Sequence, residues 1–157
     1  MTQMTPANNL GYLMQHLAAV MSKQADQLLQ EQLGIGLSQF KILMVLQKNT
    51  NVQQSFISDC LGQTEASISR QIQLLQDKNL LTSQQDPKNR RKHITTLTAQ
   101  GLHHVEAAMQ TMSKHFGPEF MGIGDKQFAQ LVSNLNDLHK VVCQPGKTGA
   151  CDHHIKT

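Results

Sequence analysis

The chain has 157 residues, of which 39% are hydrophobic, and a formal net charge of +3 at neutral pH. This length supports one domain with a hydrophobic core and excludes two large independent domains. The longest aliphatic run, from Ile42 to Leu46, is far shorter than the ~20 residues needed to cross a bilayer, so we expect no membrane contact. The N-terminus shows no secretory signal pattern, and the odd number of cysteines without framework spacing is typical of a reducing compartment. The sequence therefore predicts a cytoplasmic protein.

Basic residues are concentrated in the middle of the chain. Residues 36–98 contain eight basic and four acidic residues, whereas residues 1–35 contain one lysine and two acids, and residues 99–157 contain five of each. All the arginines of the protein, Arg70, Arg90 and Arg91, lie in this middle segment. Because arginine presents a planar fork of donors that suits phosphates and guanine edges, this distribution favours a polyanionic partner such as nucleic acid.

Apolar side chains at steps of three and four residues predict two helices in the first third of the chain. The first extends from Asn9 to Gly34 and is amphipathic. The second begins near Leu37, with Ser38 as its expected N-cap, and is apolar almost all round, which is typical of a helix packed between others.

The next two helices form a closely spaced pair. A short helix over residues 53–61 is expected to end at Gly62, and Thr64 is expected to cap a fourth helix that extends to about Lys78. The fourth helix has an apolar inner face and a small, polar, arginine-bearing outer face, which is the helix-turn-helix arrangement. Its inner face consists of Ile68, Ile72 and Leu75, and its outer face of Ala66, Ser67, Arg70, Gln71 and Gln73.

A basic hairpin follows the helix pair. Leu80 and Leu81 start a strand, the polar turn contains four basic residues between Lys88 and Lys92, and residues 93–97 return with the alternating, β-branched character of a second strand. A basic ribbon beside a recognition helix is a wing, whose tip can enter a narrow A·T-rich minor groove.

Two further amphipathic helices complete the predicted fold. Thr98 is expected to cap a fifth helix that stops at Gly117-Pro118, and Asp125 to cap a sixth helix that extends to Val142. These two helices and the first carry long apolar stripes outside the helix-turn-helix core, so we expect a second subunit to cover them.

Four short motifs resemble the winged-helix regulators of the MarR family. They are A-S-I-S-R at 66–70, D-K-N-L-L at 77–81, D-P-K-N-R-R at 86–91 and L-T-A-Q-G at 97–101. The resemblance extends over roughly residues 10–142. It implies a mainly α fold with a small β wing, in which a winged helix-turn-helix lobe is joined to N- and C-terminal dimerisation helices.

The resemblance also implies a domain organisation and a function. Residues 1–143 would form a single domain, with the DNA-binding lobe at 36–98 and the dimerisation helices at 9–34 and 98–143, followed by a flexible tail at 144–157. Such proteins are homodimers that bind pseudo-palindromic operators in double-stranded DNA and regulate transcription. We therefore expect a DNA-binding regulator, and more specifically a repressor released by a small ligand.

Carried over by position, the resemblance assigns roles to individual residues. The side chains of Ala66, Ser67 and Arg70 would face bases in the major groove, and Arg91 would reach the minor groove. The complete expected DNA-binding set is Thr64, Ala66, Ser67, Arg70, Gln71, Lys88, Arg90 and Arg91. By the same analogy, an effector pocket is expected between the first, second and fifth helices, near His16, Met44 and Met109.

Two positions depart from the family pattern. Asn89 stands where the family usually has an aspartate before the paired arginines, and Asn79 stands where it usually has glycine. Because asparagine tolerates the left-handed backbone conformation, the turn at Asn79 is expected to survive. We also expect Asp86 to hold the wing by pairing with an arginine.

The C-terminal tail supports an alternative mechanism of regulation. Cys143, Cys151, His153 and His154 have the thiol and imidazole groups that zinc and copper prefer, so this tail is a candidate thiol-redox or metal-sensing site. The default expectation is no metal and no cofactor. The sequence contains no catalytic Ser/His/Asp or Cys/His spacing, glycine-rich phosphate loop or paired carboxylate motif, so we do not expect an enzyme.

Overall fold

A computed structural model describes residues 5–143, apart from the side chains of residues 6–8 and 91. The helices are α1 (Pro6–Leu33), α2 (Leu37–Lys48), α3 (Gln54–Leu61), α4 (Glu65–Asp77), α5 (Ala99–Met121) and α6 (Asp125–Val142). The strands are β1 (Val52–Gln53), β2 (Leu81–Asp86) and β3 (Asn89–Leu97), arranged antiparallel in the order β1-β3-β2. The predicted fold class, mainly α with a small β wing, is confirmed. None of the helices within the described residues is both long and apolar enough to span a membrane.

The core lies where α2, α3 and α4 meet the sheet and the middle of α5. Helix α4 contributes the three side chains that the periodicity of the sequence placed inside, Ile68, Ile72 and Leu75, and each is at most 1% exposed. Burying an aliphatic side chain of this size stabilises the fold by roughly 1.5–3 kcal/mol relative to leaving it in water. The other fully buried large side chains are Leu29, Ile35, Ile42, Leu43, Leu46, Ile57, Leu80, Leu81 and Val105.

The start of α2 differs from the prediction. Ser38 lies inside the helix, and the N-cap is Gly36. The Asp26 carboxylate of α1 accepts the backbone N–H of Leu37 at 2.7 Å, and Gln39 Oε1 accepts that of Gly36 at 3.2 Å. Because these side chains satisfy N–H groups at the helix start, no serine cap is needed. The predicted Ser38 cap is therefore wrong.

Helix α5 does not stop at Gly117-Pro118, as the sequence predicted, but continues to Met121 with Pro118 inside it. Proline removes one intrahelical hydrogen bond. Aromatic packing favours the continuation, since the Phe120 ring stacks on Phe116 at 5.9 Å within α5 and on Phe128 of α6 at 6.0 Å. The last turn of α5 therefore forms part of the contact with α6.

The N-cap of α6 is Gly124, with φ of 92°, and not Asp125 as predicted. Asp125 is instead the first helical residue. A carboxylate in the first turn still interacts favourably with the positive end of the helix dipole. The backbone conformation at residue 124 explains the difference, because a positive φ is adopted most easily by glycine.

The corner between α4 and β2 and the start of α5 agree with the sequence. Asn79 adopts the left-handed conformation, with φ of 57°. The Thr98 hydroxyl accepts the backbone N–H of Gly101 at 2.9 Å and donates to the carbonyl of Asn79 at 2.8 Å. The predicted Thr98 cap is confirmed, and the same hydroxyl ties the start of α5 to the end of the recognition helix.

The apolar side chains of α6, and those along most of α1, are exposed to solvent. Leu13 and Leu17 of α1 are 47% and 49% exposed, and Leu131 and Leu135 of α6 are 45% and 40% exposed. No side chain of α6 is fully buried. These two stripes lie outside the core, where the sequence placed them. The sequence placed the apolar stripe of α5 outside as well, but Val105, Ala108 and Phe116 of that helix are buried, so that part of the prediction is wrong.

Candidate nucleic-acid interface

The solvent-facing side of α4 carries most of the residues expected to contact bases. Ala66, Ser67 and Arg70 are exposed, and Gln71 is half-buried beside them. Because Ile68, Ile72 and Leu75 fix the opposite face of the helix in the core, these side chains are held away from the protein. The helix is therefore a rigid platform for a small set of polar side chains.

A chain of hydrogen bonds fixes the N-terminus of α4. The Thr64 hydroxyl accepts the Ser67 backbone N–H at 3.2 Å, as predicted for a cap. The Ser67 hydroxyl donates to Gln63 Oε1 at 3.4 Å, and Gln63 Nε2 donates to the Ser38 hydroxyl of α2 at 3.2 Å. Since the Thr64 oxygen accepts the capping bond, its own O–H remains able to donate to an outside acceptor such as a phosphate.

The wing is the hairpin formed by β2 and β3. Lys88, Arg90 and Lys92 are exposed on it, and Arg91 lies on β3 with a side chain outside the described part of the structure. The Asp86 carboxylate accepts the backbone N–H of Lys88 at 2.8 Å, which closes the turn at the tip. Asp86 thus shapes the wing through a backbone contact. The ion pair with an arginine that the sequence suggested stays a prediction, because the side chain of Arg91 lies outside the described part of the structure.

Side-chain contacts hold the wing in place relative to α4. Gln76 Nε2 of α4 donates to the Ser83 carbonyl of β2 at 3.4 Å. On the other side of the sheet, the Thr96 hydroxyl donates to Asn51 Oδ1 at 2.9 Å, beside the two-residue strand β1 that sequence periodicity did not predict. The recognition helix and the wing are therefore coupled within one lobe.

Glu65 was not among the expected DNA-binding residues. It is the first residue of α4, is exposed, and lines a cavity of about 510 Å³ between α3, α4 and the wing. An acid directly after an N-cap is usually explained by the helix dipole, so the sequence alone gave no reason to single it out. The other side chains lining this cavity are Gln53, Gln54, Ser55, Asn89, Lys92 and His93.

A model of the MarR family matches residues 33–92, the segment that contains α2, α3, α4 and most of the wing. Over this segment the chain is similar to the MarR family. The expectation drawn from the four sequence motifs is therefore confirmed. A comparison with curated protein sequences gives no match.

Solved structures of MarR-type proteins have the same fold. A MarR transcriptional regulator from Methanosarcina mazei Go1 is 26% identical, with a TM-score of 0.72 over 84% of this chain and 94% of that one. CouR from Rhodococcus jostii RHA1, bound to p-coumaroyl-CoA, is 17% identical, with a TM-score of 0.74 over 92% of this chain and 99% of CouR. A mutant of S. aureus MepR bound to an oligodeoxyribonucleotide is 24% identical, with a TM-score of 0.56 over 88% and 99%.

A cavity of about 480 Å³ lies between α1, α2 and α5, the three helices between which the MarR resemblance placed an effector pocket. Its lining is almost entirely apolar, and Lys41 is the one charged residue among the described residues that line it. His16, Met44 and Met109 do not line it. Met44 packs against the core, Met109 is exposed, and the exposed His16 ring stacks on Tyr12 at 6.0 Å. The lining residues are Met21, Ser22, Ala25, Leu37, Lys41, Met112, Ser113, Phe116, Gly117 and Phe120.

The cysteines do not assemble a site within the described residues. Cys60 is half-buried, where the sequence suggested a buried position, and burial raises the pKa of its thiol, with the neighbouring Asp59 carboxylate raising it further. Cys143 is half-buried at the end of α6, whereas Cys151, His153 and His154 lie outside the described residues. No group of three potential metal ligands occurs in residues 5–143. The tail site stays a prediction from sequence.

Proposed function

We propose that this protein is a homodimeric, sequence-specific DNA-binding regulator of transcription of the MarR type, and that it acts as a repressor released by a small ligand. The observation that carries the proposal is the exposed face of α4, where Arg70 stands among small and polar side chains next to the basic wing. A helix with a small-residue outer face fits the major groove closely. The oligodeoxyribonucleotide bound to the similar MepR mutant supports the same use of the fold.

Two kinds of contact contribute to DNA binding in this proposal. Lys88, Arg90 and Lys92 on the wing neutralise phosphates, so affinity falls as salt concentration rises. Arg70 contributes sequence preference, because its guanidinium donates two hydrogen bonds to the O6 and N7 atoms of guanine. The phosphate contacts place the lobe on the duplex, and the base contacts select the sequence.

The exposed apolar stripes of α1 and α6 support the homodimer. A second copy of the chain can cover these stripes. When a two-fold axis relates the two copies, the same surface of each copy contacts the other, so the interface is self-complementary. Leu13, Leu17, Leu131 and Leu135, each 40–49% exposed, are the expected centre of this contact. The two-fold axis then presents two α4 helices to successive major grooves of a pseudo-palindromic operator.

The cavity between α1, α2 and α5 supports release by a ligand. An apolar molecule with one acidic group fits its composition, since the only described charge in the lining is Lys41. CouR, a protein of the same fold, has p-coumaroyl-CoA bound, which supports the binding of a small molecule by this fold. Release requires that the ligand bind more tightly to a conformation with lower affinity for DNA.

Contacts at the corner between α1 and α2 connect the lining of this cavity to the recognition helix α4. Leu37 lines the cavity, and its N–H is held by Asp26 of α1 at 2.7 Å. The Lys78 amine, at the C-terminal end of α4, donates to the Gly34 carbonyl at the same corner. A ligand that separates α1 from α2 therefore changes the support of the recognition helix.

The proposal is tested by binding measurements on full-length protein with duplexes selected from a random pool. We expect a subset of sequences to be enriched, with affinity that decreases linearly on a log-log plot against salt. The Arg70→Ala variant should lose the preference for guanine at one position of each half-site and keep the salt-dependent binding. Retention of that guanine preference by Arg70→Ala would contradict the proposed role of Arg70.

A further inference from the structure

Glu65 is the one acid of α4 and the wing without a partner among the described residues. Residues 64–98, which contain α4 and the wing, include three acids, and two of them have partners. Asp77 accepts a hydrogen bond from Gln73 Nε2 at 3.0 Å, and Asp86 accepts the Lys88 N–H at 2.8 Å. The Glu65 carboxylate has no hydrogen bond or ion pair with any group in the described part of the chain.

The position of Glu65 makes this lack of a partner informative. As the first residue of α4, it lies at the end of a recognition helix that contacts base edges. It also lines the cavity bounded by Lys92 and His93 of the wing, so its carboxylate lies next to the space that DNA would occupy beside the recognition helix. A carboxylate near phosphates is repelled, and in a DNA interface it is stabilised only by a facing donor.

The major groove offers one base edge that suits an isolated acceptor. Cytosine presents the donor of its N4 amine. Adenine also presents a donor, but its N7 acceptor lies directly beside it and repels the second carboxylate oxygen, and guanine presents only acceptors. We propose that Glu65 is a specificity-determining residue, whose carboxylate accepts a hydrogen bond from the N4 amine of a cytosine in the operator half-site.

This inference rests on the proposed DNA-binding function and extends it to a residue of opposite charge. The alternative is that Glu65 only stabilises α4 through the helix dipole. The two roles predict different effects of substituting Glu65. If Glu65 only stabilises α4, its substitution changes the temperature of thermal unfolding and leaves the base preference unaltered. The test therefore measures sequence preference and stability on the same proteins.

The experiment selects duplexes from a random pool with the wild-type protein and with Glu65→Ala, Glu65→Gln and the control Glu106→Gln. Glu106 is an exposed acid on α5, so the control makes the same change in charge far from α4. We expect a cytosine at one position of each half-site for the wild type and the control. This preference should be absent with Glu65→Ala, and Glu65→Gln should prefer adenine, because glutamine pairs with the N6 and N7 atoms of adenine.

A direct affinity measurement then isolates the contact. Replacing the selected C·G pair by T·A exchanges the N4 donor for the O4 acceptor, and we expect roughly a 10-fold loss of wild-type affinity and less than about a 2-fold loss with Glu65→Ala. A uniform gain of affinity for all duplexes with Glu65→Ala would show phosphate repulsion alone and overturn the inference. The inference also fails if the cytosine preference persists in that variant, whatever its unfolding temperature. A wild-type protein that enriches no sequence would instead contradict the proposed function, and this inference with it.

Discussion

The carbonyl oxygen of Leu80 lies so close to Gly101 that a β-carbon added at residue 101 would be 1.9 Å from it. The same carbonyl accepts the backbone N–H of Thr98 at 3.2 Å, and Thr98 caps the helix in which Gly101 lies. This close approach joins the start of β2 to the start of α5. It gives a physical reason for glycine in the L-T-A-Q-G motif, because any other side chain would separate the wing from α5.

We predict that Gly101→Ala destabilises the protein by about 3 kcal/mol, because the added methyl group meets backbone atoms that cannot move independently. The measurement is the free energy of unfolding in urea. Gly11→Ala is the matched control, since a β-carbon at residue 11 of α1 meets nothing within 4 Å. The control should be unchanged or more stable by roughly 0.5–1 kcal/mol, as usual for alanine in a helix. Equal stability of the two variants would show that the contact with Leu80 relaxes freely.

We predict that Arg70→Ala reduces the discrimination between the operator and a scrambled duplex by about 1–3 kcal/mol, the range for one base-recognising pair. The physical reason is the loss of two hydrogen bonds to guanine from an exposed side chain of α4. Fluorescence anisotropy with both duplexes measures the effect. Lys126→Ala, an exposed lysine on α6, controls for the change in net charge. Equal losses on the two duplexes would mean that Arg70 contacts phosphate only.

The wing should contribute most to the affinity for DNA where the minor groove is narrow. We predict that Arg91→Ala weakens binding most strongly to operators with A·T-rich flanks, because a narrow minor groove has an enhanced negative potential. The affinity of each variant is compared on operators that differ only in their flanks. Arg90→Ala serves as the comparison, since a phosphate contact by Arg90 should contribute similarly to the affinity for every flank. An Arg91→Ala variant with unchanged affinity for every flank would show that Arg91 does not contact the minor groove.

The thiol of Cys60 gives a prediction about pH. Burial, and secondarily Asp59, raises its pKa in the folded protein, so the thiolate forms more readily in the unfolded chain. The resulting contribution to stability is complete below the unfolded pKa of about 8.5 and is lost as pH rises through the folded pKa. We expect alkylation of Cys60, measured in a Cys143→Ser/Cys151→Ser background, to accelerate at a higher pH in native protein than in urea. Asp59→Asn should reduce this difference without abolishing it, and identical pH profiles in buffer and urea would contradict the assignment.

Much of the recognition lobe could be predicted because its signals are local. The face of α4 that is buried follows from the spacing of Ile68, Ile72 and Leu75, and the cap at Thr64 needs only the next few residues. The basic hairpin is likewise contained in a single stretch. Contacts between residues close in sequence determine these features, so they can be predicted from the local sequence pattern.

The errors occurred where distant residues decide the local structure. The start of α2 is capped by Asp26, eleven residues before Leu37, and this long-range contact replaces the serine that the local pattern favoured. Helix α5 continues past Pro118 because Phe120 packs on Phe128 of another helix. Strand β1 has two residues, which is too short to show a period, and it forms only by pairing with β3.

The residues of the candidate site show the same difference between features set by local contacts and features set by distant ones. The exposed face of α4 could be identified from its own residues, whereas the lining of the cavity between α1, α2 and α5 depends on how three separate helices pack. Lys41 and Phe116 line that cavity, although the sequence suggested other residues of the same helices. Glu65 was overlooked because its surroundings include residues of the wing.

In the proposed complex, two copies of one lobe bind successive major grooves of a duplex. The most direct measurement is the symmetry of the duplexes that full-length protein selects from a random pool, together with the number of chains bound per duplex in analytical ultracentrifugation. We expect two inverted half-sites, with centres about 10 base pairs or a multiple of this apart, and two chains per duplex. A single unpaired half-site bound by one chain, or no enrichment at all in dilute buffer, would contradict this expectation.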